Sequence, residues 1–559
     1  MTDAKQRTGA QILIDQLKLH GADTIFCVPG ESYLAALDAM YDANSLRLIT
    51  CRQEGGATMM AEAYGKLTGR PGICFVTRGP GATNASAGLH IARQDSTPLI
   101  LFVGQVPRAA RGREAFQELD YRAVFGTIAK WADEIDDPRR VPELVSRAFH
   151  IAASGRPGPV VLALPEDMLE EAAEVADARP YTRIEPHPGA AEMAALARAL
   201  SEARRPILLL GGSQWDKDAV AGIEAFALAN HLPVACAFRR QDRFDNSHPC
   251  YAGDVGLNVN PKLGARLKAT DLLIAVGGRL GEATSGGYTL FDIPVPRQRL
   301  VHVHPDTLEL GRVYEPAIAI NASPRTFVAA LAGSAPIVSP PWAADTKAAH
   351  EEYLAWQVPV ASPGAVQMSE IMRWLAEQLP EDAIMCNGAG NFATWVHRFH
   401  RYRRLGTQLA PTSGSMGYGF PAAVAAKLVH PERVVVCVAG DGDFMMTGQE
   451  MATVMQQRVG VIVLIVNNGM YGTIRTHQER HYPGRVIATA LTNPDFAALA
   501  RAYGAHGDTV ERTADFAAAF ERARASGLPA LIELKLDPEA LTITQSASQV
   551  RAAALAARR

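Results

Sequence analysis

The chain has 559 residues, which is too long for one hydrophobic core and suggests three or four domains at about 150 residues each. Hydrophobic residues make up 48% and charged residues 20%, as in ordinary globular proteins. The formal net charge of −3 argues against nucleic acid or an anionic membrane as the main partner.

The start of the sequence, MTDAKQRTGAQ, lacks the basic and then apolar pattern of a signal segment. No apolar run reaches the roughly 18 residues that span a bilayer. The seven cysteines are scattered and form no CxxC pair, which favours reduced, buried thiols. We therefore expect a cytoplasmic protein that binds neither a membrane nor nucleic acid.

From the N-terminus onward, short β-branched runs alternate with amphipathic stretches rich in Ala and Leu. This alternation is the pattern of βαβ units with parallel sheets. The first block ends in a charged stretch near residues 167–190, which we interpret as a linker. Its predicted strands are TIFCV (24–28), LRLIT (46–50), GICFVT (72–77), LILFVG (99–104) and PVVLALP (159–165).

The same alternation continues through a second and a third block, and a Pro- and Ala-rich linker at about 335–365 separates them. The predicted strands of the second block are PILLLGG (206–212), PVACA (233–237), DLLIAVG (271–277) and RLVHVH (299–304). Those of the third are AIMCNG (383–388), RVVVCVAGDG (433–442), VGVIVLIVNN (459–468) and PALIELKL (529–536). Fully apolar strands such as VIVLIV imply burial on both faces.

The sequence thus predicts an α/β protein with three doubly wound parallel-sheet domains. Their predicted limits are residues 1–170, 190–335 and 362–545, and a helical or frayed tail follows. The first and third domains are candidates for distant structural copies of each other.

Polar residues follow two of the apolar strands in the third block. Asp441 lies between Gly440 and Gly442 where one strand ends, and Asn467 and Asn468 end another. Asn468 follows Asp441 by 27 residues, the length of a helix and a strand, so both strand ends reach the ligand-binding edge of the sheet. A carboxylate and an amide oxygen suit Mg²⁺, and glycines let backbone amides approach an anion. Either motif alone also fits an ordinary turn.

In these motifs the sequence resembles the thiamine-diphosphate enzymes, whose signature is GDG, an intervening stretch and NN. The resemblance implies that Asp441, Asn468 and the backbone carbonyl of Met470 hold Mg²⁺, which binds the cofactor diphosphate. The diphosphate would also meet Gly390 and Asn391 in the NGAGNF loop. Further implied cofactor contacts are the neighbours of the aspartate: Gly440, Gly442 and Asp443. The first domain would then bind the pyrimidine ring and the third the diphosphate.

Glu54 follows a predicted strand and precedes two glycines and an apolar helix in RQEGGATMM. A buried carboxylate there is costly unless it is used, although a glutamate at a helix start is more often a cap. The resemblance implies that Glu54 contacts the pyrimidine ring and drives the proton exchange that forms the ylid of the cofactor. In the family, the counterparts of Glu54 and Asp441 come from different subunits. A homodimer or homotetramer with active sites at the subunit interface is therefore implied.

The stretch SGSMGYGF carries two further candidates. In the family a bulky apolar residue before GYG wedges between the two cofactor rings, and Met416 matches it. The carbonyl of Gly414 would accept a hydrogen bond from the pyrimidine amino group. Without the other motifs, a core methionine beside a Gly-rich helix start would be the better explanation.

Over nearly its whole length the sequence resembles acetolactate synthase catalytic subunits, in phrases such as RQEGGATMMAEAYGKLTGRPG, RGPGATN and AFQELD. The resemblance implies decarboxylation of pyruvate or a similar 2-oxo acid and transfer of the resulting carbanion to a second carbonyl. Gln117 matches a residue near the acceptor site, and Lys130 matches a lysine near the substrate channel. Side chains of both types are otherwise usually solvated surface groups.

Several residues depart from the acetolactate synthase pattern. Arg78 replaces the serine before GPGATN, Glu31 replaces a glycine and Glu166 replaces a lysine. Ile474 and His477 stand where valine and a tryptophan that favours 2-oxobutyrate are frequent. Because an imidazole in place of a tryptophan wall changes the acceptor pocket, we expect His477 to favour a more polar substrate. His477 is also a candidate catalytic proton shuttle, and a partly exposed helix histidine is the equal alternative.

The second block holds a candidate nucleotide site. Its segments ILLLGG and LLIAVGGRLGE resemble the flavin-binding segments of acetolactate synthases, whereas GDVGLNVNP departs from them. FAD, a nucleotide such as ADP, and an empty fold stay open.

Two alternatives to a carboligase also stay open. The first is a related 2-oxo acid decarboxylase, lyase or oxidase with another donor, such as glyoxylate, a sulfonate or a cyclic diketone. The second is a non-catalytic nucleotide-binding protein, which would have no need of the carboxylate of Glu54.

Overall fold

The computed structural model describes residues 6–558, which form three six-stranded parallel sheets flanked by helices. The predicted α/β class with three doubly wound parallel-sheet domains is therefore confirmed. The chain divides into two compact units. The first contains the residues up to Ile184 together with 420–431 and 447–459. The second contains 185–419, 432–446 and the residues from Gly460 onward.

The N-terminal sheet lies in the first unit and has the strand order β3-β2-β4-β5-β7-β6. Strands β4, β5 and β7 are buried along their whole length, as expected for a sheet covered on both faces. Its strands are β2 (Thr24–Cys27), β3 (Arg47–Thr50), β4 (Gly72–Val76), β5 (Leu99–Gln105), β6 (Trp131–Glu134) and β7 (Pro159–Pro165). A separate antiparallel sheet of two strands consists of β1 (Gln6–Thr8) and β8 (Ala172–Glu174). The helices are α1 (Gly9–Leu19), α2 (Leu34–Tyr41), α3 (Glu54–Thr68), α4 (Pro80–Asn84), α5 (Ser86–Asp95), α6 (Tyr121–Phe125), α7 (Val141–Ala153) and α8 (Glu166–Glu170).

The central sheet lies in the second unit and has the order β11-β10-β9-β12-β13-β14, as in dinucleotide-binding folds. Its strands are β9 (Pro206–Leu210), β10 (Val234–Ala237), β11 (Tyr251–Val255), β12 (Leu272–Val276), β13 (Arg299–His304) and β14 (Ile318–Asn321). Its helices are α9 (Ala190–Glu202), α10 (Lys217–Ala229), α11 (Pro261–Ala269), α12 (Pro324–Leu331) and α13 (Ala343–Trp356). Helix α13 buries Ala349 and Tyr353, so residues 343–356 of the predicted linker at about 335–365 form a packed helix.

The C-terminal sheet also lies in the second unit and has the order β16-β15-β17-β18-β20-β19. Its strands are β15 (Ile384–Asn387), β16 (Gln408–Leu409), β17 (Val435–Gly440), β18 (Ile462–Asn467), β19 (His506–Val510) and β20 (Ala530–Lys535). The helices of this part of the chain are α14 (Met368–Gln378), α15 (Phe392–Phe399), α16 (Gly419–Val429), α17 (Asp441–Phe444), α18 (Met451–Gln457), α19 (Gly472–His481), α20 (Phe496–Ala502), α21 (Phe516–Ser526) and α22 (Ala547–Ala556). The predicted tail is thus helical.

The N-terminal and C-terminal sheets share one topology. If the six parallel strands of each sheet are numbered along the chain, both sheets have the order 2-1-3-4-6-5. This agreement supports the hypothesis that the two domains are structural copies. In such a sheet the connections turn to opposite faces at the boundary between the first and third strands, and ligands bind outside the carboxyl ends of the strands at this switch point. The switch points lie between β2 and β4 and between β15 and β17.

All seven cysteines are buried and free, in agreement with the prediction of buried thiols. Within residues 6–558, no helix has both the length and the apolar composition needed to cross a membrane.

Candidate active site

A cavity of about 230 Å³ lies at the switch point of the C-terminal sheet. Loops that follow β15, β17 and β18 contribute to its wall, as does the start of α19. All the cofactor-binding candidates of the third block line it: Gly390, Asn391, Gly414, Met416, Gly440, Asp441, Gly442, Asp443, Asn468 and Met470. Residues that are far apart in the sequence therefore meet in one cavity.

Asp441 is the first residue of α17, directly after β17, and its side chain is buried. Burial raises the pKa of Asp441, and a buried carboxylate of this kind gains from a nearby cation. The side-chain amide of Asn493 donates to Oδ2 of Asp441 at 2.7 Å and to Oδ1 of Asn467 at 2.9 Å. Asn493 thus orients the candidate metal ligand, and no motif in the sequence points to it.

The two neighbouring asparagines have different positions. Asn468 lines the cavity, and its Oδ1 accepts a hydrogen bond from the N–H of Met470 at 3.2 Å. Asn467 instead donates to Oε1 of Glu533 at 2.6 Å, on the neighbouring strand β20. Asn468 is therefore the asparagine that is available to a ligand in the cavity.

The donor set of the cavity fits Mg²⁺. Asp441, Asn468 and Met470 line the cavity together, so the candidate oxygen donors are one carboxylate, one side-chain amide and one backbone carbonyl. Among residues 6–558 there is no cluster of three or more His, Cys, Asp or Glu side chains that could hold a metal ion. Few protein oxygens, completed by phosphate oxygens and water, are what Mg²⁺ prefers.

Asp443 ties two loops of the cavity together. Its Oδ1 accepts hydrogen bonds from the N–H groups of Ala389 at 3.1 Å and Gly417 at 2.8 Å. Burial raises the pKa of Asp443 to about 7. A Cβ on Gly388 would lie 2.2 Å from Oδ1, so this glycine is required by the close approach. The geometry favours an indirect role, in which Asp443 holds the loops around the cofactor cavity.

Asn391 joins the loop after β15 to α19 and to the C-terminal segment. Its Nδ2 donates to Oγ1 of Thr476 at 2.9 Å and to the carbonyl of Leu541 at 2.7 Å. Its Oδ1 accepts a hydrogen bond from Thr473 at 3.1 Å. These bonds fix the loop that also carries Gly390.

Met416 contributes a half-buried, flexible apolar side chain to the cavity wall. Two residues earlier, Gly414 has a φ of +69°, which glycine adopts without strain. This turn leaves Gly414 exposed at the cavity, where its carbonyl is predicted to meet the cofactor.

Helix α19 brings Ile474, and not His477, to the cavity. Ile474 lines the cavity and is 53% exposed. His477 is exposed, does not line the cavity, and its ring stacks on that of His481 with 6.2 Å between the centroids. His477 therefore lies outside this cavity in the single chain, and its role at the acceptor pocket stays a prediction.

Glu54 is the first residue of α3, at the carboxyl edge of the N-terminal sheet in the first unit. The side-chain amide of Asn84 donates to its Oε2 at 3.0 Å. Its Oε1 has no hydrogen-bond partner among the described residues. A Cβ on Gly81 would lie 3.3 Å from Oε1, so the GPGATN loop lies against the carboxylate.

A buried glutamate that the sequence analysis does not select supports the start of α3. The carboxylate of Glu450 accepts hydrogen bonds from the backbone N–H groups of Arg52 and Gln53 at 3.0–3.2 Å and from the hydroxyl of Thr453. A Cβ on Gly56 would lie 2.6 Å from its Oε1. In the sequence, Glu450 stands in TGQEMATVM, where a glutamate at the start of a helix resembles an ordinary solvated residue.

Gln117 lies at the carboxyl edge of the N-terminal sheet and has a φ of +65°. A Cβ on Gly79 would lie 2.8 Å from the Cβ of Gln117. Gln117 thus packs against the loop that also touches Glu54, and its role at an acceptor site stays a prediction.

Lys130 lies at the opposite edge of the same sheet, because it directly precedes β6. Its ammonium group donates to the backbone carbonyls of Ile151 and of Ser154, the latter at 2.8 Å, at the end of α7. In the single chain Lys130 thus caps the carbonyls of α7. Its role near a substrate channel stays a prediction.

The glycine-rich loops of the central sheet follow β9 and β12 at its switch point. A Cβ on Gly212 would lie 1.8 Å from the carbonyl oxygen of Gly277. The indole of Trp215 donates to the carbonyl of Gly211 at 2.8 Å. Contact between the two loops explains these glycines without a flavin, and FAD stays a prediction for this edge.

The architecture and the cavity define the class of protein, that of the thiamine-diphosphate enzymes. Three family models match the chain in order. The N-terminal TPP binding domain of thiamine pyrophosphate enzymes matches residues 7–124, the central domain matches 193–331, and the C-terminal TPP binding domain matches 388–534. Thiamine diphosphate is therefore the cofactor, and Mg²⁺ is the metal typical of this class.

Curated relatives place the chain more closely. It is 30% identical over 538 residues to the acetolactate synthase isozyme 2 large subunit of Escherichia coli K12, with 95% of each chain covered. It is 34% identical over 516 residues to the acetolactate synthase large subunit of Parasynechococcus marenigrum, with 89% of this chain and 83% of the relative covered. The chain belongs to the thiamine pyrophosphate enzyme family that includes these acetolactate synthases.

Proposed function

We propose that the protein is a carboligase that decarboxylates a 2-oxo acid and joins the remaining fragment to a second carbonyl compound. The observation that carries the proposal is the cavity at the C-terminal switch point, where Asp441, Asn468, Met470 and Met416 meet. The names of the relatives, acetolactate synthases, support the same class of reaction.

Residues of the cavity would divide the binding of the cofactor among them. Asp441, Asn468 and the carbonyl of Met470 would hold Mg²⁺, and backbone amides near Gly390 and Gly442 would meet the diphosphate. When bound, thiamine diphosphate supplies the electron sink for bond cleavage beside a keto group.

Glu54 would hold and release the proton that activates the cofactor. Its Oε2 is fixed by Asn84, while Oε1 is free for a ring nitrogen. The start of α3 favours a negative charge on this side chain. Glu450 supports the backbone directly before it, so the carboxylate is held in one place.

We further propose that the active site is completed in a homodimer or homotetramer. Glu54 belongs to the first compact unit and Asp441 to the second. The family resemblance implies that such a pair comes from different subunits. Native mass spectrometry of the holoenzyme should show a dimer or tetramer, and a fully active monomer would contradict this part of the proposal.

A related decarboxylase, lyase or oxidase with another donor is the second candidate. One observation favours it: Glu31, Arg78 and Glu166, which depart from the acetolactate synthase pattern, line a single cavity. Differences at these three residues affect the choice of substrate, whereas the candidate cofactor-binding residues match the family pattern.

Both candidates can be tested with the purified full-length chain, thiamine diphosphate, Mg²⁺ and a panel of 2-oxo acids. Released CO₂ is measured, and products are identified by mass spectrometry. A product that combines two carbonyl compounds supports the carboligase, whereas an aldehyde or acid as the only product supports the second candidate. No CO₂ from any 2-oxo acid would contradict both. Asp441→Ala should abolish Mg²⁺-dependent cofactor retention, while Asp508→Ala, in the edge strand β19, should retain it.

A further inference from the structure

A second cavity, of about 310 Å³, lies at the switch point of the N-terminal sheet. It is the topological counterpart of the cofactor cavity, since the two sheets share one strand order. Glu31 follows β2, Arg78 follows β4 and Glu166 follows β7. The lining residues are Glu31, Ser32, Tyr33, Leu34, Ala35, Arg78, Glu166, Leu169 and Glu170.

An ion pair between Arg78 and Glu166 forms one wall of this cavity. Arg78 is only 9% exposed, and its Nε donates to the carbonyl of Phe116 at 3.0 Å. Its Nη1 meets Glu166, and its Nη2 has no hydrogen-bond partner among the described residues. The carboxylate of Glu31 is exposed and has no such partner either. The cavity thus offers a free donor and a free acceptor.

The charges of the cavity limit what it can bind. The cavity is lined by three carboxylates and one guanidinium group, which belong to Glu31, Glu166, Glu170 and Arg78, respectively. An anionic group would meet net repulsion, and an apolar group would leave buried polar atoms without partners. Hydroxyl groups both donate and accept hydrogen bonds, so they match this wall.

The ion pair joins a buried guanidinium group, that of Arg78, to the carboxylate of Glu166, whose side chain is 30% exposed. Desolvation of the Arg78 guanidinium costs free energy, and an apolar side chain of similar volume is often at least as stabilising at a buried position. Stability alone therefore does not explain why Arg78 and Glu166 are paired beside an open cavity. The same loop continues to Gly81, which lies against Oε1 of Glu54.

We propose that this cavity binds the hydroxyl groups of a neutral hydroxylated aldehyde or ketone, which serves as the acceptor. The proposal rests on the proposed carboligase function. In the ligation, the donor carboxylate leaves as CO₂, a carbon–carbon bond forms to the acceptor carbonyl carbon, and the acceptor oxygen takes up a proton. Arg78 and Glu166 act as specificity-determining residues that hold the hydroxyl groups beside that carbon.

The test compares three acceptors with one fixed 2-oxo acid donor: glyceraldehyde, propanal and glyoxylate. Propanal has the carbon skeleton of glyceraldehyde without its hydroxyl groups, and glyoxylate adds a negative charge. The holoenzyme should prefer glyceraldehyde to propanal by at least about tenfold in kcat/KM, because a site that hydrogen-bonds hydroxyl groups rejects analogues that lack them. Each rate is normalised to CO₂ release from the donor by the same variant.

Removal of Glu166 alone would leave the buried charge of Arg78 without its ion-pair partner, so the main variant is the double substitution Arg78→Met/Glu166→Leu. It should bring the ratio of glyceraldehyde to propanal close to one, and Glu31→Gln should lower it by a smaller factor. Arg70→Met is the matched control. It removes an ion pair with Asp23 at the opposite edge of the same sheet and should leave the ratio unchanged.

Three results would overturn the proposal. They are a wild-type ratio of kcat/KM for glyceraldehyde to kcat/KM for propanal near one, the same ratio in the double variant as in the wild type, and a preference of the wild type for glyoxylate. Saturation-transfer NMR measures binding of glyceraldehyde to the wild-type holoenzyme and to the double variant. It tests the hydroxyl-binding cavity separately from the carboligase function. If no 2-oxo acid releases CO₂, the carboligase function fails. Binding that depends on Arg78 and Glu166 would still support the cavity, and binding that does not would overturn it.

Discussion

The carboxylate of Glu450 accepts a hydrogen bond from the backbone N–H of Gln53 at 3.0 Å, one residue before Glu54. The same carboxylate also reaches the N–H of Arg52, and the side chain is fully buried. The first N–H groups of a helix and of the turn before it have no partner within the helix. Glu450 therefore fixes the backbone from which Glu54 extends.

Glu450→Gln should lower the free energy of unfolding by about 1–3 kcal/mol, because one of the two acceptor oxygens becomes an amide donor and a hydrogen bond of the buried side chain is lost. It should also slow deuterium exchange at the thiazolium carbon of bound cofactor, since Glu54 is less well placed. Denaturant unfolding and NMR measure the two effects. Glu143→Gln, an exposed glutamate paired with Arg140, is the control. A wild-type exchange rate in a destabilised Glu450→Gln protein would limit Glu450 to a role in stability.

The same residue gives a prediction about pH. Burial raises the pKa of Glu450 above its ordinary value of 4.5, although hydrogen bonds partly oppose the shift. The folded protein thus binds this proton more tightly than the unfolded chain. The resulting stability is complete below the ordinary pKa and is lost as pH rises through the raised value. The wild type should therefore exceed Glu450→Gln in stability by more at about pH 4 than at about pH 8, and an opposite trend would contradict the raised pKa.

Asn493→Ala should weaken Mg²⁺-dependent retention of thiamine diphosphate. Asn493 bonds both Asp441 and Asn467, and loss of a residue that orients a metal ligand typically costs about 10–100-fold in affinity. Titration of the apoenzyme with Mg²⁺ at fixed cofactor concentration measures the change. Asn44→Ala, in an exposed turn, should have no effect. An unchanged Mg²⁺ affinity in Asn493→Ala would mean that the hydrogen bonds of Asn493 do not contribute to metal binding.

The interior of each sheet could be predicted from the sequence, whereas most edges could not. Every predicted strand is present, and the five parallel strands that the pattern does not reveal all lie at sheet edges. They are β6, β11, β14, β16 and β19. Edge strands such as β6 (WADE) and β19 (HGDTV) are only partly buried, so they lack the apolar runs that identify inner strands.

The cofactor cavity was predictable because its residues stand in short motifs at strand ends. The supporting residues were not, since their partners are distant in the sequence. Asn493 lies 52 residues from Asp441, Glu450 lies 398 from Arg52, and Glu166 lies 88 from Arg78. Only the topology of the sheets brings such pairs together.

Glu54→Gln should leave cofactor binding largely intact and slow deuterium exchange at the thiazolium carbon by about 10²–10⁴-fold, the usual contribution of a general acid or base. Asn84→Ala should slow exchange by less, because it frees Oε2 and keeps the carboxylate. Exchange at the wild-type rate in Glu54→Gln would remove Glu54 from the mechanism.

The choice of acceptor gives the last prediction, and it concerns Ile474 and His477. The sequence placed both on one face of α19, since residues three apart on a helix are neighbours. In the structure only Ile474 reaches the cavity, because His477 lies further along the helix and stacks on His481. A substitution at Ile474 should therefore change the acceptor preference more than a substitution at His477.

Ile474→Trp should raise kcat/KM for 2-oxobutyrate relative to glyceraldehyde by about tenfold, the effect of one apolar contact of about 1–3 kcal/mol. His477→Trp is the matched control and should shift this ratio much less. Cofactor affinity is measured in both variants, so that a damaged cavity is not mistaken for a change in specificity. A larger shift in His477→Trp than in Ile474→Trp would mean that His477 faces the acceptor in the assembled enzyme. The position of His477, where acetolactate synthases often have tryptophan, would then determine the choice of acceptor in this chain as well.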